Sequence, residues 1–468
     1  MTGGGDGMTI ANGTLWQDRA GNPVHCHGGG IIREGPYYYW FGENRQGKTR
    51  VSCYRSANLT DWEYRGDVLT LDSPFRPIDV RTDPRLITDD ETGTGANIER
   101  PKVVKNPLTG KYVMWMHWEN GKDYSAARCA VASCDTIDGP YTYHGSFNPA
   151  GHMSRDCTLF VDDDGTAYFI SAARDNADLH IYRLSDDYLS IDEHVKTLWP
   201  GQYREAPAMF KRNGVYFLVT SGCTGWEPNQ GKYAYAEQIT GRWSKLFNFG
   251  GPTTFDTQPA YILPIQSGDQ TDYLYLGDRW DPSDYHRSSY ALLPLKFPDD
   301  RTLAMEWADF VKIGPGSVET WNDSAACALW RIRTRSHRYL TAYPGGEAGL
   351  TAARLSYSVR SQLWKLEPGN GEGYVRIRNA ACGRFLQPSP DGGAKAVLAE
   401  RSGSDDQDWR LEEDEDGMFI ISRLTGQALT VSGTPGNPRG IEISLAGRLE
   451  KHGQHFLIVN HYGAAQTG

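Results

Sequence analysis

The sequence contains no long apolar segment and no cluster of basic residues. Its apolar runs all fall short of the roughly 18 residues that a membrane-spanning helix needs. Acidic residues outnumber basic ones, 58 to 48, which gives a formal net charge of −10, and no Lys/Arg run breaks this balance. Proteins that bind nucleic acids carry a basic patch. We therefore expect neither a membrane nor a nucleic acid among the partners of this chain.

Cysteine is scarce, and the common metal-binding motifs are missing. The 468 residues include eight cysteines, without the CxxC spacing of a zinc site. Most of these cysteines lie in or beside strand-like segments and are predicted to be buried thiols. The sequence also lacks an HExxH zinc motif and the Ser, His and Asp order of a hydrolase triad. We therefore expect no metal and no cofactor.

Aromatic and β-branched residues, by contrast, recur in a fixed layout. The first 310 residues contain five strand-like runs, each followed by a second strand, at a spacing of roughly 50 to 75 residues. This spacing is typical of propeller blades, and the units are too long and too rich in strands for a helical repeat. The sequence therefore predicts an all-β fold in which residues 1–315 form a five-bladed β-propeller. The five runs are 37–42, 112–117, 167–171, 215–219 and 273–277.

A polar residue precedes a tyrosine of each aromatic run by 11 to 15 residues. The innermost strand of every blade lines the central channel of a propeller, so these residues should point at one common place. One of them alone would be an ordinary surface group. Five in register predict a shared functional site at one end of the axis. The five residues are His27, Glu99, Asp156, Glu205 and Gln258.

A second repeat follows a Gly/Pro-rich linker at 314–317, where we place the domain boundary. Its units are QLW (362–364), QDW (407–409) and QHF (454–456), spaced by 45 and 47 residues. Three copies of a QxW-type unit resemble the ricin-type β-trefoil. The resemblance implies that the aromatic residue fills the core of each lobe and that the Gln ties down a turn. We expect residues 320–463 to form this domain.

The resemblance leaves the role of the trefoil open. In sugar-binding trefoils of this type, an Asp usually follows the Leu of the small strand in each lobe. Here those positions hold Thr341, Gln387 and Thr430. The domain is therefore expected either to bind carbohydrate, through the flat faces of Trp and Tyr, or to act as a spacer.

Several short motifs of the first domain, taken together, resemble glycoside hydrolase family 43, and within it the exo-β-1,3-galactanase branch. They run through nearly the whole domain in order. The motifs are HCHGGG (25–30), WFGE (40–43), ERPK (99–102), RDCTLF (155–160), ARDN (173–176), REAP (204–207), TSGCTGW (220–226) and GDRW (277–280).

The resemblance implies a role for each acidic position. Glycoside hydrolysis needs one carboxylic acid to protonate the leaving oxygen and, with inversion, a base on the far side of the sugar. Glu205 is expected to be the acid, with a pKa raised by burial and by the like charge of Asp156. Asp156 is expected to tune and orient that acid. Most relatives in the wider family place an Asp on the first blade as the base, but residues 25–28 contain no carboxylate.

Two candidates for the base remain. In the galactanase branch a glutamine of the fifth blade is thought to take this part, which corresponds to Gln258. A neutral amide is a poor proton acceptor, so Gln258 would react as its imidic tautomer or would only position the water. Glu99, which the resemblance places against the sugar, is the competing base.

The resemblance also implies a pocket for a terminal galactose. Glu43, Tyr124 and Thr224 are expected to line it, with Trp226 and Trp280 as walls, and His27 is expected to face the same sugar. Groups that hydrogen-bond one hydroxyl reject an epimer that leaves them unpaired. His117 is interpreted as a core histidine, with a pocket position as the alternative.

We therefore predict an inverting exo-β-1,3-galactanase that acts as a monomer on β-1,3-galactan, the main chain of arabinogalactan. One alternative is another family 43 exo-glycosidase, an arabinofuranosidase or xylosidase. Another is a non-catalytic, sugar-binding propeller joined to a lectin-like trefoil. The polysaccharide substrate favours an extracellular location, although the first eight residues lack the basic and apolar parts of a secretory signal. A trimmed signal or a cytoplasmic location would each account for that start.

Overall fold

The structure is a computed structural model that describes residues 9–78, 94–267, 270–314, 317–322, 329–342, 349–357, 360–432, 441–449 and 453–460. These residues form 35 strands and five short 3-10 helices, which confirms the predicted all-β fold. Within them, no helix is long and apolar enough to cross a membrane. Residues 1–8, Pro315, Gly316, Cys327 and the predicted domain limit at 463 lie outside the described residues. The 3-10 helices are Pro149–Gly151, Thr254–Asp256, Tyr285–Arg287, Arg360–Gln362 and Asp405–Gln407.

After a short first strand, the chain forms five antiparallel sheets of four strands each, in sequence order. The first strand is β1 (Thr9–Ala11). Blade 1 contains β2 (His27–Glu34), β3 (Tyr37–Glu43), β4 (Arg50–Ser56) and β5 (Glu63–Thr70). Blade 2 contains β6 (Asn97–Lys105), β7 (Tyr112–Glu119), β8 (Arg128–Cys134) and β9 (Thr142–Phe147). Blade 3 contains β10 (Cys157–Val161), β11 (Ala167–Ala173), β12 (Asp178–Leu184) and β13 (Ile191–Leu198). Blade 4 contains β14 (Arg204–Arg212), β15 (Val215–Gly222), β16 (Lys232–Ala236) and β17 (Phe247–Asn248). Blade 5 contains β18 (Gln258–Ser267), β19 (Gln270–Arg279), β20 (Ser289–Lys296) and β21 (Ala304–Met305).

The first strands of the five blades form a closed ring. Each of them contacts the first strand of the next blade, and β18 returns to contact β2. The five aromatic runs of the sequence are the second strands β3, β7, β11, β15 and β19. This arrangement confirms the five-bladed propeller and places the N-terminal ends of the inner strands at one end of the channel.

Packing between blades explains why the second strands are apolar on both faces. Every residue of β7 is buried, because its two faces contact different blades. Phe41 and Met114 belong to a core shared by blades 1 and 2, whereas Trp115 and Phe169 belong to one shared by blades 2 and 3. Burying a side chain of this size stabilises the fold by about 1.5–3 kcal/mol. A strand that is buried on both faces has a continuous run of apolar residues in its sequence, without the alternation of apolar and polar residues seen in a half-buried strand.

A three-stranded sheet joins the start of the described chain to the end of the propeller. It consists of β1, β22 (Phe310–Gly314) and β23 (Ser317–Trp321). The buried side chain of Asn12 fastens this sheet to blade 5, since its amide nitrogen donates to the carbonyls of Leu292 and Ala308 over 3.1 and 2.8 Å.

The remaining strands form one 12-stranded sheet system, from Trp330 to Asn460. Its core contains Trp364, Trp409 and Phe456, the aromatic residues of the three repeats. This confirms the predicted β-trefoil. The strands are β24 (Trp330–Thr334), β25 (Tyr339–Ala342), β26 (Leu350–Ala353), β27 (Trp364–Pro368), β28 (Tyr374–Asn379), β29 (Phe385–Pro388), β30 (Ala396–Ala399), β31 (Asp408–Asp414), β32 (Gly417–Ser422), β33 (Ala428–Ser432), β34 (Ile441–Ala446) and β35 (Phe456–Asn460).

The three glutamines of the trefoil repeats make the same contacts in each lobe. In the second lobe, Gln407 Oε1 accepts from the Ser402 amide over 3.0 Å, and its Nε2 donates to the Glu400 carbonyl over 2.7 Å. The same Nε2 donates to Gln387 over 2.9 Å. Gln362 and Gln454 repeat this pattern with Thr341 and Thr430, over 3.3 and 2.9 Å. The three positions that replace the sugar-binding Asp are therefore tied to the turn-holding glutamines.

The trefoil packs against the propeller through a buried ionic cluster. Asp256, in the loop before blade 5, lies 3.4 Å from Arg279 of the propeller and 3.4 Å from Arg331 of the trefoil. The ring of Tyr357 lies 4.5 and 5.1 Å from these two guanidinium groups. All three charged side chains are buried. A buried charge is tolerated only when it is paired and hydrogen-bonded, and Asp256 has cationic partners in both domains.

Candidate active site

The five predicted hub residues lie at the beginnings of the inner strands. His27 and Gln258 are the first residues of β2 and β18, whereas Glu205 is the second residue of β14 and Glu99 the third of β6. Asp156 comes directly before β10. The inner strands run in the same direction along the channel, so all five residues reach the same end of it.

A β-bulge follows the hub residue in four of the five blades. The pairing register shifts after His27, Glu99, Glu205 and Pro259. Such bulges bend the strand and re-aim side chains, and they are common beside active sites.

The residue after the hub position is left-handed in three of these bulges. Gly28, Arg100 and Ala206 have φ values of 57°, 51° and 53°. Two of them carry a side chain, for which this backbone conformation is unfavourable. The backbone amides of Gly28 and Ala206 donate to neighbouring carboxylates. Gly28 N donates to Asp278 Oδ2 over 2.9 Å, and Ala206 N donates to Asp156 Oδ2 over 3.0 Å.

Glu205 is a buried carboxyl group with two amide donors. Asn176 Nδ2 donates to Oε2 over 3.0 Å, and Gln258 Nε2 donates to Oε1 over 3.1 Å. Burial, together with the nearby charge of Asp156, raises the pKa of Glu205 to about 8. The group is therefore protonated at neutral pH, as a general acid requires.

Arg100 connects three of the blades beneath this carboxyl. Its Nε lies 2.8 Å from Asp156 Oδ2, and its Nη2 donates to Gln258 Oε1 over 2.6 Å. Its Nη1 donates to the Pro259 carbonyl over 2.8 Å. The guanidinium is buried, so it fixes Asp156 and Gln258 relative to each other.

Gln258 has every polar atom of its amide occupied. Oε1 accepts from Arg100 and, over 2.8 Å, from the indole nitrogen of Trp280. Nε2 donates to Glu205 and, over 3.2 Å, to Ser221 Oγ. The donors on Oε1 identify it as the carbonyl oxygen and give the amide one orientation.

Glu99 belongs to a second polar cluster, built from blades 1 and 2. Its Oε1 accepts from Tyr124 Oη over 2.5 Å and from Arg45 Nη2 over 2.6 Å, and its Oε2 lies 3.1 Å from His117 Nδ1. Burial acts to raise the pKa of Glu99, but the charge of Arg45 and the contact with His117 outweigh it and hold the pKa well below its usual value. Glu99 is therefore an ionised carboxylate.

His117 bridges Glu99 and Glu119 and is positively charged. Its Nε2 lies 2.9 Å from Glu119 Oε1. Burial acts to lower the pKa of His117, but the two carboxylates outweigh it and raise the pKa to about 9. His117 is thus buried, as its interpretation as a core histidine requires, and it also supports the candidate site.

Glu43 lies on the other side of Arg45. Arg45 Nη2 donates to its Oε2 over 3.1 Å, and Arg45 thereby links Glu43 to Glu99. Burial raises the pKa of Glu43 to about 8, against the opposing charge of Arg45. The pKa values of the two acids around Arg45 are therefore shifted in opposite directions.

The two predicted wall tryptophans form a stack. The rings of Trp226 and Trp280 are 5.2 Å apart and inclined by 7°. Trp280 is only 4 % exposed, with the His27 ring 4.9 Å from its own. Trp226 is half-buried and is the one of the pair that offers surface to a ligand.

Two of the predicted sugar contacts are engaged by other groups of the protein. His27 is 0 % exposed, pairs with Asp278 Oδ1 over 3.0 Å and stacks on Tyr290. It supports the wall from below and does not line the pocket. Thr224 uses its hydroxyl within its own loop, donating to the Glu227 carbonyl over 2.5 Å and accepting from Asn229 Nδ2 over 2.7 Å. Tyr124, by contrast, is 43 % exposed and contacts Glu99.

Several residues of the site have no role in the sequence-based prediction. Two of them, Ser221 and Asp278, share a positional signal, because each is the cross-strand partner of a hub residue in an inner hairpin. They pair with Glu205 and Gln258, as Glu43 and His117, which the sequence analysis names, pair with His27 and Glu99. Arg45, Arg100 and Asn176 follow no such rule.

Carboxylate and imidazole atoms of Glu99, His117 and Asp156 all lie within 4.8 Å of one another. Arg45 and Arg100 are paired with the two carboxylates. The atoms that a metal ion would need are therefore engaged by cationic side chains, and the cluster acts as a hydrogen-bonding network.

The trefoil contacts the loops that carry the site. Arg338 lies 3.6 Å from Glu227, next to Trp226, and the Tyr357 amide donates to Asp281, next to Trp280, over 3.2 Å. Asp256 precedes Gln258 by two residues. The interdomain contact therefore supports three loops of the candidate site.

Comparison with known proteins gives two family matches. The family model of glycosyl hydrolases family 43 matches residues 22–261, and that of the ricin-type β-trefoil lectin-like domain matches residues 360–443. No curated protein sequence matches the chain.

Three solved structures illustrate the similarity. An exo-β-1,3-galactanase from Clostridium thermocellum is 39% identical, with 97% of this chain and 99% of that chain covered and a TM-score of 0.62. One from Phanerochaete chrysosporium, solved with galactose, is 30% identical, with coverages of 86% and 92% and a TM-score of 0.60. A putative one from Bifidobacterium bifidum s17 is 31% identical, with coverages of 63% and 96% and a TM-score of 0.56.

The family match covers half of the chain, and the similarity to the Clostridium thermocellum structure extends over nearly all of it. Because this family consists of hydrolytic enzymes, the match also argues against the alternative of a non-catalytic propeller. The chain therefore belongs to glycosyl hydrolases family 43 and is a glycoside hydrolase with a ricin-type β-trefoil.

Proposed function

We propose that the enzyme is an inverting exo-β-1,3-galactanase that releases galactose from the non-reducing end of β-1,3-galactan. The observation that carries the proposal is the Glu205 carboxyl, which is buried and held by two amides, and whose pKa is raised by this burial. The similarity to exo-β-1,3-galactanases over nearly the whole chain supports the choice of sugar. Such a substrate is a polysaccharide, and we propose that the enzyme acts on it outside the cell, as a monomer.

Glu205 donates its proton to the glycosidic oxygen as the bond from that oxygen to the anomeric carbon breaks. Water attacks the anomeric carbon from the opposite face, and a base takes up its proton. Asp156 keeps Glu205 protonated through its negative charge, while Arg100 prevents Asp156 from moving towards the acid. Asp156 is thus a positioning and tuning residue in this proposal.

Two residues compete for the base, and each has contacts that oppose the role. Gln258 donates to the acid itself, and its carbonyl oxygen already accepts from Arg100 and Trp280. In this orientation it holds Glu205 and has no free lone pair directed at water. Glu99 is ionised, but its three partners lower its basicity.

The polar groups around Arg45 provide the means of recognising hydroxyl groups. Glu99 accepts hydrogen bonds, and burial raises the pKa of Glu43 and so favours its donor form. Tyr124 Oη gives its hydrogen to Glu99 and keeps its acceptor lone pairs. An epimer that leaves one of these groups unpaired is rejected strongly, because the cost of an unpaired buried group is large. We propose that this cluster reads the hydroxyls of the terminal galactose.

The proposal is tested by substrate choice and by stereochemistry. The enzyme is incubated with β-1,3-galactotriose, xylobiose and an arabinofuranoside, and the released sugars are identified. Galactose from the first substrate alone is expected, and release of xylose or arabinose instead would replace the galactanase assignment. Proton NMR at early times should show the α-anomer of galactose, whereas the β-anomer would overturn inversion.

A further inference from the structure

Three histidines form a compact cluster on the third blade, in strands and a loop that the proposed mechanism does not use. His180 lies in β12, His194 in β13, and His152 follows the 3-10 helix Pro149–Gly151 before blade 3. Their ring centroids are 4.5 to 5.2 Å apart. One ligand atom from each ring lies within 4.8 Å of the other two.

A strand irregularity brings two of these rings together. Ile181 pairs with Lys196, but Tyr182 pairs with His194, so Val195 is an extra residue in β13. Residues two apart on a strand share a face, which puts His180 and Tyr182 on one face. The bulge places His194 opposite Tyr182 and thereby beside His180.

Among the residues that the structure describes, hydrogen bonds occupy one nitrogen of each of these two rings and leave the other free. His180 Nδ1 lies 2.9 Å from Tyr182 Oη, and His194 Nε2 lies 3.1 Å from the Lys196 carbonyl. A carbonyl can only accept, so His194 Nε2 carries the proton and Nδ1 keeps its lone pair. If His180 likewise donates from Nδ1, its Nε2 is free. Metal-binding histidines are oriented by such a bond from the other ring nitrogen.

The cluster is open on one side. Neutral imidazole is the form that binds metal. The ring of His152 makes no hydrogen bond within the described part of the chain, and this residue is exposed, which leaves one side open for entry and for a water ligand.

We propose that His152, His180 and His194 form a binding site for a divalent transition-metal ion such as Zn²⁺. Three imidazoles and one water are a common set of ligands for Zn²⁺, with metal–nitrogen distances of about 2.0–2.1 Å. The exposed His152 side chain closes on the ion by rotation about its own bonds. The ion links the segment that leads to Asp156, four residues further on, with the outer strands of blade 3.

The test uses the full-length chain, freed of any affinity tag and treated with a chelator. Zn²⁺ is titrated in by calorimetry, and Co²⁺ is added separately, since tetrahedral Co²⁺ gives strong visible absorption bands. We expect saturable binding of one ion per chain, Co²⁺ bands and a higher Tm with metal, because a ligand that binds only the folded state stabilises it.

Variants assign the binding to this cluster. His152→Ala and His194→Ala, at partly exposed positions, should each weaken Zn²⁺ binding by at least about tenfold, and Tyr182→Phe should weaken it by about 10-fold through the lost orienting bond. His286→Ala, at an exposed histidine on blade 5, is the control and should bind as the parent does. Absence of one-to-one binding would overturn the proposal. So would binding that survives in the double variant His152→Ala/His194→Ala, or that is lost only in Asp156→Asn, which would place the ion in the Glu99 cluster.

Discussion

The amide nitrogen of Gln258 donates a hydrogen bond to Glu205 Oε1 over 3.1 Å. This contact places the proposed acid and one of the two proposed bases side by side. In an inverting glycosidase the acid and the base flank the sugar, about 6.5–9.5 Å apart. The bond therefore supports Gln258 as a residue that orients the acid, and it makes the roles of these residues testable.

Replacing Glu205 by a residue that cannot donate the proton should abolish turnover and leave sugar binding largely intact. The Glu205→Gln variant keeps the size of the side chain and can keep one of its two accepted hydrogen bonds, but it cannot act as an acid. General acid catalysis contributes roughly 10²–10⁴-fold to the rate, and we expect kcat to fall by at least that factor on β-1,3-galactotriose. Calorimetric titration with the same sugar checks that binding persists. A kcat close to that of the parent would remove Glu205 as the acid.

The pH profile should report the protonation of Glu205. Because the acid must be protonated and its pKa is raised to about 8, kcat/KM should be maintained up to that pH and fall above it. The Asp156→Asn variant removes a negative charge that raises this pKa, so the alkaline limb should move to lower pH. Asp300→Asn, at an exposed carboxylate on blade 5, changes the charge equally and should leave the limb in place. An unmoved limb in Asp156→Asn would contradict the tuning role.

The base is identified by comparing Gln258→Ala with Glu99→Gln. Replacing the true base should lower kcat strongly and change KM little, because the contribution of the base arises in the transition state. If Gln258 orients the acid, Trp280→Phe, which keeps a stacked ring but loses the donor to Gln258 Oε1, should reproduce part of the Gln258→Ala defect. Normal kinetics in Trp280→Phe would argue that the orientation of the amide does not matter.

The interdomain cluster should matter for both stability and activity. Arg331→Met leaves the buried Asp256 with one cationic partner fewer, which should cost about 1–3 kcal/mol and lower the Tm. The loops with Trp226, Gln258 and Trp280 should then shift, and a displacement of about 1 Å can lower kcat/KM by as much as 10²-fold.

Arg384→Met is the matched control for Arg331→Met. It breaks an exposed pair with Glu400 inside the trefoil, and exposed pairs contribute only about 0–1 kcal/mol. Thermal unfolding and kcat/KM of the two variants should therefore differ clearly. Equal behaviour would show that the trefoil is attached without supporting the site.

The sequence predicts the repeating parts of this protein well, because they follow from periodicity. The aromatic strands recur once per blade, and a strand buried on both faces is apolar throughout, as β7 is. An Asn-Gly pair favours a two-residue hairpin turn in which both residues have positive φ values. Asn213 and Gly214 form such a turn, with φ values of 49° and 77°. The hub residues followed from the same repeat.

The parts that depend on closure of the ring could not be derived in this way. Arg100 joins Asp156 and Gln258 only because blades 2, 3 and 5 meet. His27 and Thr224 lie in matching motifs, but one is covered by the ring of Trp280 and the other is used by its own loop. Sequence position brings a residue to the site, whereas its neighbours decide whether it offers a free surface.

The bulges at the hub have a consequence for how this scaffold can vary. Side chains alternate between the two faces of a strand, so removing the extra residue after Glu99 or Glu205 would turn the side chains before it to the opposite face. The direction of the Glu99 and Glu205 side chains thus depends on the number of residues between them and the rest of the strand. Single-residue deletions at 101 or 206–207 should be far more harmful than substitutions there, and new specificities are more accessible by exchanging side chains than by changing loop length in the inner hairpins.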